Sequence, residues 1–365
     1  MLTVSSVLVA LALTASAIHV GEGGDCRTIA EAVEAAMPGD TVLIHEGIYH
    51  EQIVTVRSGE SGARIVLSAV PGDTVVIDGS GADASNGIVV RHSFITVEGL
   101  DICGWSSNAA WVEHCRGFEM THCTMHGVVF GLGLADGAKD FRITECTAYD
   151  YDLYGFDASP SGGAPCSYGV FKGCTARSGR DRSQNVDGFA LGHGEQHHFA
   201  FLGCTATDVF DGFDISASNT LLKGCTAEDC WNSGFKVWQD SVFISGCTSK
   251  GCGNGGIELD WDGEPGHAFV EGCTIEDAGT YSIWVEAGDT LSLFDCVVSG
   301  GDNIGLCFER ANQVNYFGDR NVFHNDEPER LISLGYEVEY SVESFADWIA
   351  GTGQDGRSTA VAEMR

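Results

Sequence analysis

Three aspartates and a lysine stand out for what they could do together: Asp187, Asp211 and Asp214, with Lys236 twenty-two residues after the last of them. They sit in a recurring context of a small or polar residue, a glycine and a large apolar residue. The copies are Tyr154-Gly155-Phe156, Asp187-Gly188-Phe189, Asp211-Gly212-Phe213, Ser233-Gly234-Phe235 and Gly255-Gly256-Ile257. If each copy is a strand, alternation turns the apolar residue inward and the next residue outward. The outward column then reads Asp157, Ala190, Asp214, Lys236, Glu258, and the column three residues earlier reads Tyr154, Asp187, Asp211, Ser233, Gly255. Stacked strands lie about 4.8 Å apart. Three carboxylates that close repel one another unless a cation neutralises them. Oxygen ligands without His or Cys suit calcium better than zinc.

The elements that must position these residues show in the cysteines. Cys123, Cys146, Cys174, Cys204, Cys225, Cys247, Cys273 and Cys296 recur at intervals of 21 to 30 residues, each after apolar or small residues. A glycine-rich repeat of that period predicts a β-solenoid, in which each coil contacts only its neighbours. The cysteines at one phase read as a buried ladder of small hydrophobes. Cys230 and Cys252 form a second column that could be disulfide-bonded. No compact Cys-x-x-Cys pairs suggest a metal site.

Upstream, Thr28 to Ala36 spaces Ile29, Val33 and Ala36 as a helix, which Pro38-Gly39-Asp40 ends before a strand at Thr41-Val42-Leu43-Ile44. Such a helix would cover the open end of the solenoid. Asp73–Gly79 and Ile95–Leu100 read as further strands. The repeat fades after His324. The domain reading is a β-helix over residues 18–330 and a capping tail over 331–365, with a short helix near Ser344–Ile349. The first 17 residues, Met1 to Ala17, are apolar and end in Ala15-Ser16-Ala17, the pattern of a cleaved secretion signal that lacks a basic start.

A net charge of −33 argues against nucleic acid, whose binding needs Lys and Arg to neutralise phosphate. The apolar leader is too short to span a membrane once processed. The chain is therefore expected to be a secreted monomer without nucleic-acid or membrane partners.

Asn185-Val186-Asp187-Gly188-Phe189, Asp211-Gly212-Phe213-Asp214 and Asn232-Ser233-Gly234-Phe235-Lys236 resemble the central coils of the pectate lyases of polysaccharide lyase family nine. More loosely, residues from about Ile18 to Asp355 are similar to secreted parallel β-helix proteins. The resemblance implies an all-β fold, a right-handed parallel β-helix with an N-terminal capping helix. It also implies calcium (Ca2+) ligands at Asp187, Asp211 and Asp214, and Lys236 as the base in eliminative cleavage of polygalacturonate or a related polyuronate. One departure is visible. The family usually has two aspartates before the second glycine, and here Phe210 takes the first place while Asp208 lies out of phase. Weaker, water-assisted or altered cation binding is left open by that change.

The chemistry is coherent. Elimination removes the C5 proton of a uronate, and a cation on the sugar carboxylate stabilises the charge that develops. The base must be neutral, whereas free Lys titrates near 10.4. A neighbouring cation and burial would lower that value; Asp214 alone would raise it. Plainer readings exist for each residue: Asp-Gly is common in turns, and a lysine on a solenoid surface is ordinarily solvated. The case rests on the whole set falling in consecutive coils of a chain with only five lysines. Secondary candidates for substrate contact are Arg182, Trp238, Glu258 and Asp260. Trp238 could stack on a sugar ring. Glu258 and Asp260 could instead be the paired carboxylates of a glycoside hydrolase. A non-catalytic carbohydrate-binding β-helix is the other alternative. His193, Glu195, His197 and His198 read as turn residues rather than a zinc site.

Overall fold

One residue with left-handed backbone, just ahead of each ladder cysteine, turns the chain from one face of the solenoid to the next. At Gly173, Gly203, Gly224, Gly246 and Gly272 its φ is 59–62°. Glycine enters that region without a Cβ clash. His122, Glu145 and Asp295 hold the same corner at φ 51–55°, so the position tolerates a side chain at some strain. Behind the corner, each ladder thiol donates to the carbonyl two residues back, at 3.2–3.9 Å. All fifteen cysteines are unbonded, so Cys230 and Cys252 are buried thiols and no disulfide joins the second column. The ladder is scaffold.

These corners organise an all-β right-handed parallel β-helix. The computed structural model describes residues 15–159, 163–177, 184–192, 194–260, 266–286, 288–300, 303–310, 315–325, 329–335 and 338–362. One face is a 13-stranded sheet running from Ala17–Val20 to Asn315–Asp319. The other two faces merge into one larger sheet, because Thr124–Ala135 and Thr147–Ala158 run straight through the corner between them. Among the described strands, coil pairs with coil in parallel except where Ile332–Leu334 meets Val338–Tyr340 antiparallel.

Inside, the predicted phase holds. Phe156, Phe189, Phe213 and Phe235 stack with centroids 4.8–5.0 Å apart and rings within 11° of parallel. From the opposite wall, Phe171 and Phe201 meet this stack edge-on at 5.6–6.1 Å. Edge-to-face contact adds to the area each ring buries. This aromatic column underlies the coils that carry the aspartates and the lysine.

Both ends are sealed. The helix Ile29–Ala35 opens with a capping box, in which Thr28 accepts from the Glu31 N–H and the Glu31 carboxylate accepts from the Thr28 N–H. At the far end, the helix Phe345–Thr352 buries Trp348, whose indole donates to Asp355 at 3.0 Å. The tail does more than cap: Ile332–Leu334 and Thr359–Val361 each add a strand to the solenoid. The repeat thus continues past residue 330 in geometry after it has faded in sequence. The first strand already includes Ala17, the last residue of the expected leader, and residues 1–14 lie outside the described set. Among the described residues no helix is long and apolar enough to cross a membrane.

Candidate active site

The outward column forms as read from the sequence. Cα partners run Asp157, Ala190, Asp214, Lys236, Glu258, and continue to Trp284. Tyr154 is likewise paired with Asp187 in the earlier column. The charges of Asp211, Asp214 and Lys236 all act on Asp187, so the three aspartates and the lysine lie near one another.

Asp187 and Asp211 are 1% and 2% exposed. Asp187 Oδ1 accepts the Asp211 N–H at 3.1 Å, and its Oδ2 accepts from Asn185 at 3.1 Å. Asp211 Oδ1 accepts from Asn232 Nδ2 and from the Ser233 N–H, both at 2.8 Å. These bonds do not offset the loss of water. Burial, then the charges of Asp211 and Asp214, push Asp187 well above the usual carboxylate range. Burial and the Asp214 charge push Asp211 up to about 7. Two buried carboxylates that repel each other are what a hard cation relieves, so the donor chemistry fits calcium.

The positions are not gathered around one point. Among the described residues, Glu113, His114 and Asp136 bring one ligand atom each within 4.8 Å of one another, and the Asp187, Asp211, Asp214 set does not. Asp214 Oδ1 accepts from the Trp238 indole at 2.5 Å. Asp208, the out-of-phase carboxylate, is held by the Trp231 indole at 2.8 Å and so does not replace the aspartate missing at Phe210.

Lys236 is half-buried. Its Nζ lies 3.2 Å from Asp260 Oδ2 and 4.4 Å from the centre of the Trp238 ring. Burial alone would lower its pKa, but Glu258, Asp211 and Asp260 outweigh burial and hold it above the ordinary value. Glu258 is buried and accepts the Ser233 hydroxyl at 2.5 Å. Trp238, Glu258 and Asp260 thus lie around the lysine. Arg182 and His193 lie outside the described residues. His197 and His198 contact each other through Nδ1 at 2.7 Å, away from this surface. Asn185 and Asn232, which hold the two buried carboxylates, were missed in sequence. Each comes just ahead of its strand, where Asn185 serves Asp187 two residues on and Asn232 serves Asp211 on the preceding coil.

The profile of the Pel9A-like, right-handed β-helix region matches residues 14–273. The chain belongs to that family. Several solved structures share its fold at low identity. Pectate lyase Pel9A is 18% identical, with a TM-score of 0.59 over 74% of this chain and 77% of that one. A mannuronic acid specific polysaccharide family 6 lyase from human gut microbiota is 14% identical, with a TM-score of 0.62 over 95% and 91%. A rhamnogalacturonan lyase is 14% identical, with a TM-score of 0.55 over 73% and 82%. In sequence, the uncharacterized protein YwoF of Bacillus subtilis (strain 168) is 31% identical over 118 residues, 26% of this chain and 25% of that protein. The chain spans about a quarter of that relative's length. The chain therefore shares the β-helix fold of these polysaccharide lyases.

Proposed function

We propose that the protein is a secreted lyase that cleaves an acidic polysaccharide, pectate foremost, by calcium-assisted β-elimination, with Lys236 as the base. The observation that carries this reading is the register Asp214–Lys236 on a family β-helix, with the amine half-buried beside Asp260 and next to two cation-hungry carboxylates. Asp187, Asp211 and Asp214 are the residues that would hold the cation. When bound, it would screen their charge and that of the sugar carboxylate, and so acidify the C5 proton.

Lys236 Nζ takes that proton when neutral; the C5–H electrons form the C4–C5 double bond, and the C4–O bond breaks, with solvent protonating the leaving oxygen. Asp260, Glu258 and Asp211 keep the amine charged in the resting protein, so the neutral share grows with pH and activity should be alkaline. The Trp238 ring and the Asp260 carboxylate hold Nζ in place on the surface. A panel of polyuronates assayed for ultraviolet-absorbing unsaturated products, with and without chelator, tests the proposal. Cleavage with saturated ends only would turn it into a hydrolase, and binding without turnover into a carbohydrate-binding module.

A further inference from the structure

Beginning three coil steps from Lys236 toward the N-terminal end, the same two columns open into a pocket of about 430 Å3. Asn86, Asn108, Trp111, Phe130, Asp157 and Ser159 line it. The pocket belongs to the groove that holds the lysine: Trp111 pairs with Gly133, Gly133 with Asp157, and Asp157 heads the column that leads to Lys236. We propose that this pocket is a subsite for an uncharged pyranose ring, either a neutral sugar or an esterified uronate, on a chain whose acidic residue lies at Lys236. The inference rests on the lyase reading and narrows its substrate to a chain that alternates or mixes charged and uncharged residues.

The wall chemistry is that of a sugar site. Trp111 and Phe130 offer aromatic surface on which the C–H face of a pyranose can stack. The wall beside the indole is held in advance, since Glu113, two residues on in the same strand, is clamped by Arg91 at 2.5 Å. The Trp111 ring lies across Gly133, where a Cβ would come within 2.7 Å of both the ring and Asn108 Oδ1. Asn108 is 5% exposed, and that Oδ1 has no hydrogen-bond partner, although its amide nitrogen donates to Asn86 and Ser107. A buried acceptor without a donor is costly, and a sugar hydroxyl is the donor such a site lacks.

Charge excludes a free uronate. No Lys, Arg or His lines the pocket among the described residues, and its titratable wall group is Asp157. Burial pushes that carboxyl up to about 7, against the opposing hydrogen bond from Ser159 at 2.5 Å. Protonated, Asp157 can donate to a sugar oxygen; ionised, it repels a carboxylate. Each coil step is about 4.8 Å, close to the advance per residue of an extended pyranose chain. Trp111 is five such steps from Lys236, so a ring stacked on it would sit about five residues from the one at Lys236.

The test uses a Lys236→Ala background to stop turnover, with calorimetric binding of hexagalacturonate as the free acid and as its full methyl ester. Trp111→Ala should weaken the ester by about tenfold, the equivalent of about 1.4 kcal/mol, and leave the free acid within about twofold. Asp157→Asn should strengthen the free acid and leave the ester nearly unchanged. Equal loss of both ligands in Trp111→Ala, or no loss of either, would overturn the subsite. The same two outcomes apply if hexamers of alternating rhamnose and galacturonate replace the ester. Trp111-dependent binding of an uncharged ring without eliminative products from the wild type would keep the subsite and remove the lyase reading. Eliminative products with no such binding would do the reverse.

Discussion

Lys236 is paired with Asp260, a carboxylate one coil on that lies outside the lysine's own column, at 3.2 Å. Asp260 helps raise the lysine pKa, so its loss should lower it and enlarge the neutral share of the amine at any pH below that value. For Asp260→Asn, the rising limb of the kcat/KM profile should move toward lower pH. An unmoved limb would mean that a different group controls the rate.

Replacing Lys236 itself should be far more damaging. Lys236→Ala should reduce kcat by about 10²–10⁴-fold, the usual contribution of a positioned general base. Lys236→Arg should be nearly as inactive, because guanidinium does not give up its proton at accessible pH. Lys223 and Lys250 stand in other strands, so Ala at either should leave turnover near wild type. Product absorbance under saturating substrate reads all four.

The buried carboxylates make a stability prediction with a definite sign. An acid whose folded pKa exceeds its unfolded value binds its proton more tightly when folded, so stability is highest below the unfolded value and falls as pH rises. For Asp211 and Asp157, that window runs from about 4 to about 7. In cation-free buffer the Tm should therefore be lower at about pH 8 than at about pH 5. Calcium should recover the loss at the higher pH. Asp211→Asn should remove the calcium-responsive part, whereas Asp157→Asn should reduce the pH dependence without touching the calcium response. A cation-free Tm that rises over this window would contradict the assignment.

In the proposed calcium site, the family resemblance would put a further carboxylate at Phe210. Phe210→Asp should lower the calcium concentration that supports half-maximal activity, and Asp211→Ala should raise it. Chelation should abolish activity yet leave the circular dichroism of the β-helix largely unchanged, since the coils supply their own core. Full activity in excess chelator would remove calcium from the account.

Phe213 lies directly under Asp214, between Phe189 and Phe235 at 4.8 and 5.0 Å. Phe213→Ala should cost about 3–5 kcal/mol in chemical unfolding, and Phe213→Leu clearly less. Thiol titration of the denatured wild type should find all fifteen cysteines free.

Much of this architecture was legible in the chain. The Gly-Phe phase put Asp157, Ala190, Asp214, Lys236 and Glu258 in one column, because a period-two strand fixes which side each residue takes. Ile29, Val33 and Ala36 announced the capping helix by their spacing, while its capping box at Thr28 and Glu31 went unread. What the phase could not supply was the direction of each side chain within its column. Asp214 turns to the Trp238 indole instead of joining Asp187 and Asp211, and a partner from the following coil is invisible in strand periodicity. Lys236 likewise finds Asp260 by reaching diagonally. The pocket at Trp111 escaped because its coils largely precede the regular cysteine ladder, so no repeat marked Asn108 and Trp111 as neighbours of Asp157.

The even step from Gly133 through Asp157, Ala190 and Asp214 to Lys236 gives the groove the properties of a ruler. The corner residues and the Phe stack repeat with each coil, so a whole coil can be inserted or removed without new caps or a new core. One coil added between the pocket and the lysine would move the cut by one sugar. Product length would then be set by counting coils, independently of the chemistry at Lys236.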